Sequence, residues 1–260
     1  MEKGGRKKVG EETVIWHLGN MTFHARTLVN TWLVMAAILI FCFLGVRHLT
    51  SGKPGKMQNV LEWIVDFVKN LVSDNMNYEQ GRPLLGYLLT LIMFVFFSNM
   101  VSVIPNLTFG LFEYFHIDFA QLNKIFDAKE YFSAAPTSDI NVTMALALMT
   151  IILVLSLGVK TKGLHYFHHF VEPFKVFAII HIIDLLAKPL TLAFRLFGNI
   201  FAGEILVKVI WMLPGISVLP GILPQVIWLA FSIFIGAIQA YVFTVLTTAY
   251  ISQAVTPAEH

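Results

Sequence analysis

"LTLAFRLFGNIFAGEILVKVIWML", residues 190–213, decides how the whole chain is read. Its run of Leu, Phe, Ile and Val predicts a membrane-buried helix. Yet Arg195 sits inside it, with Asn199, Glu204 and Lys208 close behind. Arginine keeps its proton, because its pKa lies above about 12. Placing that charge in hydrocarbon costs from about 2.5 to well over 10 kcal/mol, depending on the reference state. Intramembrane ionisable groups held at such cost usually mark ion paths. The alternative is a buried polar network that only fixes helix packing, at poor energetic return.

The rest of the chain has the same character. Of its 260 residues 57% are hydrophobic and 13% charged, against about 25% charged in a soluble domain. With a mean hydropathy of +0.71 it reads as one integral membrane domain over 1–260, all-α in class. A net charge of +2 gives no sign of a nucleic-acid partner. Cys42 is the only cysteine, so no intrachain disulfide is possible, and it reads as a small buried side chain.

Working outward, 174–213 forms one helical stretch of about 60 Å, twice the roughly 30 Å hydrocarbon core. Residues 222–253 repeat the excess length, and "LPGISVLPGILP" between them reads as a proline-glycine hairpin. Helices this long must tilt strongly or lie partly in the membrane plane. The segment 174–253 is therefore expected to be a long tilted hairpin, suited to wrapping a cylinder. Three shorter spans precede it, at about 29–48, 83–104 and 139–159, which makes five. The first apolar run, Trp32 to Val46, has no small-x-small cleavage site behind it and reads as a retained span. Residues 1–28 read as a polar tail. Segment 57–76 is different: Val60, Ile64, Phe67, Val68 and Leu71 recur at helical spacing, with Glu62, Asp66 and Lys69 off the stripe. It reads as an amphipathic interfacial helix.

Loop charge sets the expected topology. Arg47, Lys53, Lys56, Lys69 and Arg82 lie in one loop, and Lys160, Lys162 and Lys175 in another. The polar loop 106–138 is net acidic. The positive-inside rule puts the first two in the cytoplasm and the third outside. The N-terminus is then outside and the C-terminus cytoplasmic, against the lone contrary signal of Arg6, Lys7 and Lys8. Most of the five tryptophans fall near span ends, as interfacial anchors do.

At 100° per residue from Asp184, Lys188 falls at about 40°, Arg195 at about 20°, Asn199 at about 60° and Ala202 at about 0°. Glu204 and Lys208 fall on the opposite face, the carboxylate roughly 13 Å further along the axis from Arg195. In the last helix Gln225, Ser232 and Gln239 are spaced by seven on one face, and Gly236 and Ala240 allow a close helix approach.

Together these stretches resemble the a subunit of F-type ATP synthases. "LTLAFRLFGNIFAGE" looks like its signature, and "MQNVLEWIVDFV", "FFSNMVSVIPN", "APTSDINVT" and "GAIQAYVFTVLTTAYIS" match in the same order, over about residues 25–255. The resemblance implies a non-catalytic stator subunit beside a rotating ring of c subunits. Two offset half-channels would carry protons, or sodium ions in some members, to and from the ring's carboxylates. Peripheral-stalk b subunits and the lipid membrane are the other implied partners. Arg195 resembles the family's essential arginine, and Asn199, Glu204 and Gln239 its polar partners. Asp184 matches a position usually held by glutamate, near the cytoplasmic mouth. Asn99, Ser102, Asp139 and Asn141 resemble residues near the outer half-channel. Two departures stand out. Ser232 replaces a histidine found in some members, and Lys208 follows Glu204 by one turn, where it could pair with it.

The physics fits that role independently. A ring carboxylate crossing hydrocarbon must be neutral. Near Arg195 its charged form is favoured, so it releases its ion. The same charge repels cations and blocks a direct leak between the half-channels. Movement through the potential supplies about 2.3 kcal/mol per charge per 100 mV.

Other motifs are weaker. His165 and His169 in "HYFHH" have the i, i+4 spacing of metal ligands but no third partner, so no metal or other cofactor is expected. No G-x-S-x-G, H-E-x-x-H or P-loop occurs, so no catalytic residues are expected and the chain is not itself an enzyme. The competing reading is a stand-alone secondary transporter with an arginine anion site, which should show paired repeats and broken helices. Neither is visible, and an intramembrane hydrolase would lack a nucleophile-base pair. The expected location is a bacterial plasma membrane.

Overall fold

The computed structural model describes residues 15–18, 21–114, 135–163, 177–212 and 218–256. Two short strands, β1 (Ile15–Leu18) and β2 (Met21–His24), pair antiparallel, with Ile15 opposite His24 and Leu18 opposite Met21. The helices follow: α1 (Ala25–Val46), α2 (Lys56–Asn75), the single turn α3 (Tyr78–Gly81) and α4 (Leu85–Tyr114). After them come α5 (Ile140–Lys162), α6 (Phe177–Met212) and α7 (Val218–Val255).

Five segments are long and apolar enough to cross a membrane: Ala25–Val46, Tyr78–Val101, Ile140–Lys162, Ile183–Gly203 and Val226–Val255. The chain is a helical, multi-pass membrane protein. Its outward surface is correspondingly apolar: Leu39, Ile40 and Phe43 on α1 are all more than half exposed. Lipid would cover such side chains in place of protein.

Three boundaries differ from the sequence reading. The polar tail 1–28 contains the β1–β2 pair and the first turn of α1; its overall polarity hides strands rich in Ile, Trp, Thr and Phe. Helix α4 runs past the expected end at 104 as far as Tyr114, because "LTFGLF" continues the apolar run. Helix α7 begins at Val218, inside the stretch read as a proline-glycine hairpin. Pro220 stands in its first turn, where a missing N–H breaks no helical bond. The loop residues 115–134 and 164–176, with His165 and His169, lie outside the described residues.

Two apolar clusters hold the helices. Val68 and Val72 of α2 meet Leu88 of α4, Val154 of α5 and Ile251 of α7. Leu91 and Val95 of α4 meet Ala147 of α5, Leu192, Ala193 and Leu196 of α6, and Phe243 of α7. At 36 and 38 residues α6 and α7 measure about 54 and 57 Å, well beyond a 30 Å core. Hydroxyls inside the spans bond back to their own helices: Thr150, Thr244 and Thr248 each donate to the carbonyl four residues earlier.

Helix α2 lies outside the set of spans. It packs through Val68, Leu71 and Val72, whereas Val60 and Trp63, at the other end of its apolar stripe, are exposed. A Cβ at Gly45 of α1 would sit 2.8 Å from Leu61 Cδ2, so the two helices meet through a glycine. Gln58 ties down the connection, donating from Nε2 to the Thr50 carbonyl at 3.0 Å. On the solvent side Lys69 donates to Asp66 at 3.0 Å, which holds the lysine above its ordinary pKa. Both groups are exposed, so the pair adds little stability.

Candidate functional site

Helix α6 has a covered face and a bare one. Pro189, Leu192, Ala193 and Leu196 are buried against α4, α5 and α7. Ile183, Leu186, Leu190, Phe194, Phe201 and Ile205 face outward. Arg195 stands exposed beside this apolar side, and no carboxylate among the described residues pairs with it. Asn199, one turn on, is half-buried. The backbone of α6 continues through Glu204 and Lys208, but their side chains lie outside the described residues, as do those of Ser102 and Gln225.

Eleven residues before Arg195, Asp184 is exposed and accepts an ion pair from Lys188 at 2.8 Å. The Lys188 ammonium also lies 5.2 Å from the centre of the Tyr250 ring on α7. The i, i+4 spacing of Asp184 and Lys188 carried this pairing in the sequence; the cation–π partner, 62 positions away, had no local signal.

A buried polar seam joins α4 to α7. Asn99 donates from Nδ2 to the Gly236 carbonyl at 3.0 Å and accepts from the Thr137 hydroxyl at 3.1 Å. Gly236 permits this approach, since a Cβ there would lie 3.1 Å from Asn99 Cβ. Gln239, one turn further, is 6% exposed, and its Nε2 has no hydrogen-bond partner among the described residues. Leaving such a group unpaired costs about 1–3 kcal/mol. Ser232 is half-buried and donates to the Trp228 carbonyl at 2.8 Å, so its hydroxyl serves its own helix.

At the opposite end from Asp184, Asp139 caps α5. Its Oδ1 accepts from the Asn141 backbone N–H at 2.9 Å and the Asn141 side-chain amide at 3.0 Å. Its Oδ2 accepts from the Thr27 hydroxyl of α1 at 2.9 Å. These groups line a cavity of about 340 Å³, together with His24, Ser138 and Phe197. Phe197 lies two residues past Arg195, so the cavity runs from the capped end of α5 to the arginine helix. Thr27, Thr137 and His24 were not legible as site residues.

The candidates whose side chains are described fall into four groups: Asp139 and Asn141 sit at one end and Asp184 at the other, Asn99, Gln239 and Ser232 lie on α4 and α7, and Arg195 and Asn199 lie on α6.

Comparison with known proteins shows the family. Residues 28–252 match the family model of the ATP synthase A chain. The chain is 36% identical over 250 residues to ATP synthase subunit a of Desulforamulus reducens, covering 94% of this chain and 85% of the relative. It is 35% identical over 247 residues to the subunit a of Bacillus subtilis, covering 90% and 93%. The subunit a of Lysinibacillus sphaericus is 36% identical over 253 residues, covering 95% and 98%.

Proposed function

We propose the following role for this chain, which belongs to the ATP synthase A chain family: it is the proton-conducting stator subunit of an F-type ATP synthase. The observation that carries this reading is Arg195, a permanent cation without a carboxylate partner among the described residues, exposed on a membrane helix. Leaving it unpaired in lipid is costly. A carboxylate brought by another chain removes that cost, and a ring of c subunits brings one after another.

The placement of the other groups supports two half-channels. The outer one uses Asp139, Asn141, Asn99, Gln239 and Glu204. The inner one opens near Asp184. A proton enters from outside, neutralises a ring carboxylate, travels with the turning ring, and leaves when that carboxylate meets Arg195 from the other side. The chain binds no nucleotide and makes no covalent bond; it supplies path and charge. Strong tilt of α6 and α7 would lay their bare faces along the ring. Peripheral-stalk b subunits would hold the assembly still, in a bacterial plasma membrane with the N-terminus outside.

The test is purification of the tagged chain from its membrane in mild detergent. A c ring and stalk subunits should accompany it in fixed proportion; recovery of the chain alone would contradict the stator role. Topology has its own check. Asp66 is exposed on α2, which the loop charges place at the cytoplasmic face beside the stalk. An Asp66→Cys variant lacking Cys42 should react with a membrane-impermeant maleimide only after cells are opened. Labelling of intact cells would reverse the orientation.

A further inference from the structure

We infer that Thr27 is a positioning residue of the outer half-channel, aiming the Asp139 carboxylate at the water that delivers protons. The inference rests on the outer-path reading above. Three observations lead to it. The Thr27 hydroxyl donates to Asp139 Oδ2 at 2.9 Å across 112 positions of sequence. The other oxygen, Oδ1, is already held by Asn141. Both Thr27 and Asp139 line the cavity of about 340 Å³ that reaches Phe197 on the arginine helix.

Capping α5 requires only Oδ1, which accepts the Asn141 backbone N–H. The Thr27 bond is therefore not needed to start the helix. What it adds is a fixed carboxylate plane. With one oxygen tied to α5 and the other to α1, the group cannot swing about its Cβ–Cγ bond away from the cavity. Thr27 is itself anchored, because its carbonyl accepts the Thr31 hydroxyl at 2.7 Å. The other charged or titratable groups on the cavity wall are His24 of β2 and Arg26 of α1. In operation a hydronium ion outside gives its proton to the carboxylate and becomes water. The carboxylate then gives the proton to the next group inward and is restored.

The valine variant Thr27→Val keeps the branched shape and removes the donor. The experiment measures ATP synthesis by the reconstituted whole complex at fixed membrane potential. Proton concentration is varied separately on the outer and inner sides. A hydrogen bond to a charged group is worth enough to change occupancy about tenfold. For Thr27→Val the outer proton concentration at half-maximal rate should fall by about that factor, because losing a donor to the ionised carboxylate raises its proton affinity. The maximal rate should fall less, and the inner-side dependence should stay in place. Thr27→Ser, which restores a hydroxyl, should return the curve toward wild type. A purely structural tie would lower assembly or maximal rate without this one-sided shift. If Thr27→Val does not assemble, Thr27→Ala is read in the same way. An unshifted outer curve in the valine or alanine variant overturns the inference. If Asp139→Asn also leaves the outer curve unmoved, the outer-path reading itself fails, which separates the two outcomes.

Discussion

An assembled complex carrying Arg195→Ala should pump no protons when given ATP. At about 4 Å and an effective dielectric near 20, a guanidinium and a ring carboxylate attract by about 4 kcal/mol. Losing that pull slows ion release by about three orders of magnitude. Losing the charge also removes the barrier to cations between the two half-channels, so passive proton leak appears in membranes stripped of the catalytic head. Arg195→Lys should fare little better. Lysine presents a compact point charge on a flexible stem in place of the flat, delocalised guanidinium, and it can give up its proton when desolvated. Fluorescence quenching by a pH-sensitive dye in inverted vesicles reads both variants. The chain should still assemble, because Arg195 lies off the packed face made by Leu192, Ala193 and Leu196.

The second large effect belongs to the two half-channels. Glu204→Gln and Asp184→Asn should each slow proton flux, by about tenfold or more as proton-transfer groups. Neither should uncouple the enzyme, because the arginine barrier remains. The two should differ in side. Glu204→Gln should bite hardest when outer protons are scarce, Asp184→Asn when the inner bath is acid. The Lys188 ion pair gives Asp184 a further role: it holds a carboxylate beside a second cation on the arginine face. Unchanged synthesis and pumping in Asp184→Asn would reduce that residue to a surface ion pair.

How much of this was legible in sequence depends on the range of the interaction. Membrane spans are local statements about roughly 20 apolar residues, so α1 and α5 could be read to within a few positions. Helical periodicity is also local. It put Asp184, Lys188 and Arg195 on one side of α6, and the buried Leu192 and Leu196 flank that side. Polarity averaged over a tail cannot show two four-residue strands, so β1 and β2 were missed. Proline and glycine signal turns in general, but a helix accepts proline in its first turn, so the start of α7 was misplaced. Side-chain pairs made by tertiary packing leave no periodic trace. Thr27 with Asp139, Thr137 with Asn99, and Tyr250 with Lys188 are of this kind. Spacing and resemblance both single out Ser232, and its bond to Trp228 shows what neither can: where a hydroxyl is spent.

The claim on which the rest depends is that Arg195 couples proton movement to the ring. Its most direct test is potential-driven ATP synthesis by the purified complex in sealed vesicles, with subunit content measured on the same sample. The Arg195→Ala complex should contain its full complement of subunits and make no ATP above background at any imposed potential. Near-normal synthesis by that variant would contradict the mechanism and leave Arg195 as a helix-packing residue.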